Sequence, residues 1–262
     1  MKIFNGTPTP YGFASWLAEG EELGAFRGYV VEKIFQSTDE VAAANAAARA
    51  KGFANYQVAT TAPGDIKFKD LNGDGTVNSA DQQVLGSAQP KFFGSLTNDF
   101  TYKGFDLKIF AQFVYGNKLL NYTRNFSEGM NGVFGQTDAV LNRWTPTNTN
   151  TDIPRAVFGD PNNNRRVSDR FIEDGSYLRL KNVILGYTLP KSVTNKVGIE
   201  RVRIYAQAQN LLTFTKYKGL DPEVSTFTAG ANGNSSANAA LGTDFLTFPQ
   251  PRTITFGVNL TF

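Results

Sequence analysis

The stretch R-T-I-T-F-G-V-N-L-T-F, residues Arg252 to Phe262, decides the fold class of this 262-residue sequence. It alternates strictly, which in an extended strand puts apolar side chains on one face and polar or small ones on the other. The apolar face carries Ile254, Phe256, Val258, Leu260 and Phe262. A tilted strand needs roughly 9–11 residues to cross a bilayer, whereas soluble strands run about 5–6. We therefore predict a membrane-spanning strand; the alternative is the last strand of a soluble sandwich.

A second alternating region predicts a long hairpin. The segments Phe93–Tyr102 and Phe105–Tyr115 flank the dipeptide Lys103-Gly104, and a glycine-containing pair between two alternating runs is typical of a tight β-turn. Tyr102, Phe105 and Tyr115 are expected at strand ends, where the aromatic girdles of a membrane barrel lie. Ordinary aromatic packing between strands is the alternative for these three side chains.

A third pair of strands is expected over Ser176–Thr188 and Arg201–Phe214. The second of these alternates cleanly. The first does not, because Leu178, Leu180 and Ile184 fall on one face and Val183, Leu185 and Tyr187 on the other. Either a β-bulge or burial on both faces explains this pattern. A weaker, sixth strand is predicted from about Gly24 to Phe35.

The connections between the predicted strands alternate in length. The turns at Lys103-Gly104 and around Pro190–Ile199 are short, whereas Gln36–Lys91, Gly116–Gly175 and Thr215–Pro251 are long and rich in Asn, Thr, Gly and Pro. Outer-membrane barrels have short periplasmic turns and long extracellular loops. Counted back from Phe262, every long segment falls on the extracellular side.

Composition excludes several functions. The sequence has no Cys and no His, which rules out disulfides, thiolate nucleophiles, Ser–His–Asp triads and imidazole metal ligands. The net charge is only +3, without a dense basic cluster, so no nucleic-acid partner is expected. No pair of carboxylates is placed to converge, and we expect no catalytic residues and no enzyme activity. Neither an apolar run of about twenty residues nor an N-terminal signal peptide is apparent.

One short helix is predicted in the first long segment. Ser37 and Glu40 have the spacing of a capping box, Ala42–Ala50 favour a helix, and Gly52 is a typical C-terminal stop. A solvated helix packed on its own loop is the expected outcome.

The segment from Asp70 to Asp81 fits a twelve-residue calcium loop. Oxygen-bearing side chains or a backbone carbonyl are expected to come from Asp70, Asn72, Asp74, Thr76, Asn78 and Asp81, and Gly75 occupies the position of the sharp turn. Asp81 replaces the usual Glu at position 12, as in dockerin loops. We expect a structural Ca²⁺ ion; the alternative is a set of Asx and Gly turns without a cation.

Four stretches carry a family resemblance: G-E-E-L-G-A-F-R-G-Y-V-V-E-K-I-F-Q (Gly20–Gln36), P-G-D-I-K-F-K-D-L-N-G-D-G-T-V-N (Pro63–Asn78), R-F-I-E-D-G-S-Y-L-R-L-K-N-V-I-L-G-Y-T-L-P (Arg170–Pro190) and R-I-Y-A-Q-A-Q-N-L-L-T-F-T-K-Y-K-G-L-D-P-E (Arg203–Glu223). With the terminal strand, they resemble the C-terminal portion of SusC/RagA-type TonB-dependent outer-membrane transporters of Bacteroidetes. The resemblance spans nearly the whole sequence.

The resemblance implies a barrel of about 22 strands that imports oligosaccharides or peptides, powered by TonB through an N-terminal region and lidded by a SusD-like surface lipoprotein. It also implies that the barrel-assembly machinery recognises the terminal strand as its signal, through Phe256, Val258, Leu260 and Phe262. No plug, TonB box or signal peptide is found in residues 1–262, so a fragment that cannot transport alone is expected.

The predicted fold class is therefore all-β: an antiparallel transmembrane β-barrel segment in contact with outer-membrane lipid. Residues 36–91 form an extracellular loop with the helix and the calcium-type loop, and residues 92–262 supply barrel strands and loops. The alternative function is a secreted, calcium-stabilised, β-rich carbohydrate-binding module. Such a module would stay monodisperse without detergent.

Overall fold

The computed structural model describes residues 8–223 and 240–262. The described chain falls into two compact units. The first, here called the mixed unit, contains residues 8–89, 118–173 and 240–247. The second, called the sheet unit, contains residues 90–117, 174–223 and 248–262. The N-terminal residues 1–6, for which no signal peptide is predicted, and residues 224–239 of the predicted loop Thr215–Pro251 lie outside the described residues.

The described residues form strands and α-helices in this chain order: β1 (Thr9–Tyr11), β2 (Ser15–Leu17), β3 (Ala25–Gly28), β4 (Val31–Ile34), α1 (Thr38–Ala50), β5 (Ile66–Phe68), β6 (Gln83–Ser87), β7 (Phe92–Tyr102), β8 (Phe105–Tyr115), β9 (Lys118–Asn121), α2 (Tyr122–Ser127), β10 (Ile172–Asp174), β11 (Tyr177–Thr188), α3 (Lys191–Thr194), β12 (Arg201–Thr215), β13 (Thr243–Asp244) and β14 (Thr253–Thr261). Short 3₁₀ helices cover Ser79–Asp81, Asp138–Asn142, Asp169–Phe171 and Asn195–Val197.

The mixed unit is built from short strands around two apolar clusters. Its sheets have the orders β1-β2-β3-β6, β4-β5 and β10-β9-β13. Phe26, Leu120 and Phe171 lie in one buried cluster, and Ile66 and Phe68 in the other. Burial of these large side chains, each worth about 1.5–3 kcal/mol, stabilises a unit whose strands are otherwise very short.

The predicted strand Gly24–Phe35 is wrong as a single element. It breaks into β3 and β4, which belong to different sheets. Between them, the Tyr29 N–H donates to the carbonyl of Val167 at 3.0 Å, and this contact ends the pairing of β3. Phe26 and Phe35 are fully buried on either side of the break. The run is therefore core of the mixed unit and not a strand of the large sheet.

Helix α1 has the predicted caps, with one change. The Ser37 hydroxyl oxygen accepts a hydrogen bond from the Glu40 N–H at 3.2 Å, and Gly52 adopts φ +92° after the last turn. The Glu40 carboxylate returns to the Gln36 N–H at 2.8 Å rather than to that of Ser37. The reciprocal half of the capping box is thus shifted by one residue. No helix of the described residues is both long enough and apolar enough to span a bilayer.

The sheet unit is one antiparallel sheet with strand order β14-β12-β11-β8-β7. The predicted hairpin is confirmed: Tyr102 pairs with Phe105, and Lys103 (φ 47°) and Gly104 (φ 88°) form the two-residue turn. Positive φ at both positions is the type I′ geometry that matches the twist of a hairpin. The terminal strand covers nine residues rather than the predicted eleven.

Strand β11 contains the bulge that its sequence pattern allowed. Its pairing with both neighbours shifts between Leu180 and Asn182, which leaves Lys181 as the irregular residue. A bulge reverses the alternation, so Leu178 and Leu180 share a face with Val183, Leu185 and Tyr187. Burial on both faces is therefore not needed to explain the sequence.

The ends of the large sheet differ. The turn between β7 and β8 and the α3 connection between β11 and β12 lie at one end, since both join neighbouring antiparallel strands there. The chain leaves from the other end for the long segments after Tyr115 and Thr215. This is the sorting of short and long connections that the sequence predicts.

Candidate functional site: the two faces of the large sheet

One face of the large sheet is apolar across all five strands. A single row of paired residues runs Phe100, Leu107, Leu185, Ala206 and Phe256. Many large apolar side chains of this face are exposed, namely Phe92, Leu96, Phe100, Phe105, Leu178, Leu185, Ile204, Leu212, Phe214, Ile254, Phe256, Val258 and Leu260. A contiguous exposed patch of this size marks a surface that meets another apolar phase.

Aromatic rings border this face at both ends. At the long-connection end Phe92 stacks on Tyr115, with ring centroids 4.9 Å apart. At the other end Phe105 lies against Tyr187 with centroids 4.5 Å apart, and Tyr102 is exposed beside them. The three aromatic residues predicted for strand ends therefore lie there. Interfacial rings at both borders of an apolar band are typical of outer-membrane strands.

The opposite face carries most of the polar side chains and the ion pairs of the sheet, with Phe93 exposed beside Val114 at its edge. Arg203 on β12 reaches across β11 to Asp106 on β8, with Nε 2.9 Å from Oδ1, and its Nη2 donates to Oδ2. Gly186 of β11 lies beneath this bridge, and a Cβ there would come within 2.5 Å of atoms of both partners. On β14, Gly257 likewise leaves space for the Tyr205 ring, because it has no Cβ that would clash with the ring. Polar side chains on this face fit a water-filled interior.

A second ion-pair cluster closes the long-connection end of the polar face. Arg179 is 2% exposed and donates to Asp221 at 2.5 Å and to Glu223 at 2.9 Å. Lys181 also donates to Glu223, at 2.6 Å. The bulge residue thus supplies a charge to this cluster.

The pKa of Asp221 is lowered despite its burial. Burial alone raises the pKa, because it disfavours the charged form. The hydrogen bond from Arg179 and those from the N–H groups of Glu223 and Gln250 outweigh burial and hold the pKa below the usual range. Asp221 is therefore ionised at neutral pH and fixes the chain that follows β12.

The sequence did not single out these charged pairs. The pattern of the strands could have placed three charged residues on the polar face, namely Asp106, Arg179 and Arg203. Their partners depend on strand order and register, which the sequence alone does not provide.

The residues proposed as an assembly signal all lie along the terminal strand. Phe256, Val258 and Leu260 are exposed on the apolar face, and Phe262 follows the strand end and is also exposed. Their recognition by an assembly machinery stays a prediction.

The calcium-type loop is closed by Asp81. Its carboxylate is fully buried and accepts hydrogen bonds from the N–H groups of Leu71 and Asn78, both at 2.8 Å, and of Asn72 at 3.3 Å. Asp81 also caps the 3₁₀ helix Ser79–Asp81 together with Asn78. In this geometry Asp81 holds the loop ends together.

The remaining loop oxygens take part in turn hydrogen bonds. Asp70 accepts from the N–H groups of Gly73 and Gly75, each at 2.7 Å, and Asp74 accepts from the Thr76 N–H at 2.9 Å. The hydrogen bond from Thr76 is the main cause that lowers the pKa of the partly exposed Asp74. Within the described residues, no three acidic side chains converge as a ready-made metal cluster.

A lysine accompanies this loop. The Lys51 ammonium donates to the Gly73 carbonyl at 2.6 Å, and its aliphatic chain lies over Gly75. This contact could not be predicted from the sequence, because Lys51 is the C-cap of helix α1 and meets the loop only through tertiary packing.

Comparison with known proteins gives consistent matches. The chain is 38% identical over 246 residues to TonB-dependent receptor P3 of Formosa agariphila, covering 94% of this chain and 23% of the relative. It is 34% identical over 250 residues to TonB-dependent receptor P26 of the same organism, again covering 94% of the chain and 23% of the relative. TonB-dependent receptor SusC of Bacteroides thetaiotaomicron is 30% identical over 212 residues, with 76% of this chain and 18% of SusC covered. No family model matches.

Solved structures share the fold. A structure of the RagAB peptide transporter matches with a TM-score of 0.68 at 23% identity, covering 95% of this chain and 24% of that one. The RagAB peptide importer in its "closed-closed" state matches with a TM-score of 0.70 at 22% identity, covering 99% and 25%. The chain thus spans about a quarter of the proteins it matches.

The sheet with one apolar exposed face, together with these matches, defines a segment of a TonB-dependent receptor of the bacterial outer membrane. Within that class the chain belongs to the SusC/RagA type and matches its C-terminal portion. The relatives are receptors and transporters, in agreement with the expectation that the chain is not an enzyme.

Proposed function

We propose that this chain supplies membrane-spanning strands to the barrel of a SusC-like importer that takes up oligosaccharides or peptides. The observation that carries the proposal is the apolar face, which is continuous over five strands and exposed, opposite a face with ion pairs. Water on one side and hydrocarbon on the other account for both faces at once.

The sheet edges support the same proposal. Within the described residues, β7 and β14 each pair on one side only. Unpaired strand edges are not tolerated in hydrocarbon, and five strands do not close a pore. We therefore infer that transport requires further strands and a plug from the same receptor.

Partners follow from the class of receptor. We infer a SusD-like surface lipoprotein as the lid, TonB as the energy source and the barrel-assembly machinery as the factor that inserts the strands. The long connections of the large sheet would face the lid.

Detergent dependence tests the proposal against the secreted carbohydrate-binding module. The receptor containing this chain is extracted from outer membranes and transferred to detergent-free buffer, and its state is followed by size-exclusion chromatography. An outer-membrane barrel is expected to aggregate, and to recover a single species in lipid nanodiscs. A monodisperse species without detergent or lipid would refute the membrane assignment.

We also propose that the loop from Asp70 to Asp81 binds a structural Ca²⁺ ion. Side-chain oxygens of Asp70, Asn72 and Asp74, and the backbone carbonyl of Thr76, are the donors that a hard cation prefers. Asn78 and Asp81 complete the donor set. Asp74 is partly exposed and its pKa is lowered, so its carboxylate is ionised and can exchange its hydrogen bonds from the Thr76 N–H and the Asn72 and Asn78 amides for a cation.

Calcium titration of the receptor by isothermal calorimetry tests this site. Asp74→Asn is expected to weaken binding strongly, whereas the exposed Asp138→Asn, in another loop, serves as the matched control. Lys51→Met removes the competing ammonium and is expected to tighten binding. Equal calcium affinity in the wild type and in Asp74→Asn would contradict the proposal.

A further inference from the structure

A groove opens in the sheet unit at the long-connection end of the large sheet. Its volume is about 660 Å³, within the roughly 300–1,000 Å³ of small-molecule sites. Phe92 and Tyr115 form one wall, Phe214 forms the other, and Leu178 lies on the floor. All four side chains are exposed members of the apolar face.

A small residue creates the groove. Ser176 lies two residues before Leu178, nearer to the long-connection end of the sheet. At the position of Ser176, no large side chain lies between the wall residues Tyr115 and Phe214. The Ser176 hydroxyl accepts from the Gly116 N–H at 2.9 Å and donates to Asp174 at 2.6 Å. These bonds fix Ser176 at the boundary between the apolar walls and the polar mouth.

The mouth of the groove carries a cation. Lys216 lines it and is exposed, and none of the ion pairs formed by the described residues includes it. Asp174, the acidic residue beside it, already accepts two hydrogen bonds from Ser176, from N–H and hydroxyl. The groove is therefore apolar along its length, and its open end carries the Lys216 ammonium beside the hydrogen-bonded Asp174 carboxylate.

We propose that this groove binds a phosphate-bearing lipid of the outer leaflet, with an acyl chain along Leu178 and the phosphate at Lys216. The groove is continuous with the lipid-facing surface, so an acyl chain reaches it without crossing water. Its long-connection end is the extracellular end in the orientation proposed above. Apolar walls with a single lysine at headgroup level match the two halves of such a lipid.

Native mass spectrometry of the delipidated receptor, titrated with purified lipid A, tests this site. Lys216→Gln is expected to lower the affinity of the tightest site about fivefold, the value of one lysine near an anionic headgroup. Leu178→Trp fills the groove and is expected to lower the affinity at least as much while Lys216 remains. Lys103→Gln, a lysine beside Tyr102 at the opposite end, is the matched control and is expected to bind like the wild type.

Each outcome decides the matter. Loss of lipid A binding in both groove variants supports the proposal. Unchanged binding in both variants overturns it, and so does loss in Lys216→Gln alone, because that result leaves only surface charge and no acyl site. Loss in Leu178→Trp alone also overturns it, because that result leaves an apolar groove without a phosphate contact. The proposal rests on the membrane assignment, whose own failure is seen separately, as a receptor that is monodisperse without detergent.

Discussion

Replacement of Phe256 by arginine is the sharpest test of which face meets lipid. Phe256 lies on the apolar face of β14, is 79% exposed and is one residue from Gly257, the midpoint of the nine-residue strand. One residue along a strand tilted by about 40° displaces a side chain by roughly 3 Å along the membrane normal. In the proposed membrane orientation, Phe256 is therefore close to the middle of an apolar band about 25 Å tall.

At that depth an arginine facing lipid costs about 2–4 kcal/mol. The equilibrium constant for folding into vesicles, relative to the urea-solubilised chain, should fall about 30- to 700-fold, since 1.4 kcal/mol is a factor of ten. Thr255→Arg is the matched control, because Thr255 neighbours Phe256 and points to the polar face. We expect its cost to stay within about 1 kcal/mol, typical of a surface change.

The assay is equilibrium folding of the receptor into lipid vesicles over a urea series, with the folded fraction read from heat-modifiable migration on gels. If the apolar face met water, Phe256→Arg would cost no more than Thr255→Arg, because Phe256 is exposed. Equal costs for the two variants would refute the assignment of the faces.

Two further predictions concern the polar face. Gly186→Ala places a Cβ within 2.5 Å of the side-chain ends of Arg203 and Asp106, so the ion pair must shift, and the folded receptor should lose up to about 1 kcal/mol in the same assay. In an Arg203→Ala background that cost should shrink, and an unchanged cost would disprove the close approach. The pKa of Asp221 is held below its ordinary value of 3.8, so its stabilising contribution is complete above that pH and is lost as pH falls through the lower, folded-state pKa. Asp221→Asn should therefore flatten the acid limb of stability against pH, measured between about pH 2 and 6, and an identical limb would contradict the role of Asp221.

The strands of the large sheet could be predicted because their alternation is determined within each strand. Apolar and polar residues alternate with a period of two in Arg252–Phe262 and in the hairpin around Lys103-Gly104. This alternation predicts an extended strand and the face on which each side chain lies, even when the neighbouring strands are unknown. The caps of helix α1 are equally local, since Ser37 and Gly52 act within one turn of the helix. These features were predicted to within one or two residues.

Features that depend on distant partners could not be predicted. The break between β3 and β4 arises from contacts with Val167, more than a hundred residues away. The pairing of Arg203 with Asp106 needs the order of three strands, and the contact of Lys51 with the calcium-type loop needs the packing of helix α1. In each case the local pattern leaves several partners open, and only the tertiary structure selects one.

The extra residue in β11 also bears on how this protein tolerates insertions and deletions. Loss of Lys181 would leave a strand that alternates regularly, with Asn182 directly after Leu180, and no later side chain would change sides. One residue added at the centre of β8 or β14 would instead turn the rest of that strand over and carry aromatic rings to the face with the ion pairs. We therefore expect length variation among natural variants of these strands to concentrate at position 181.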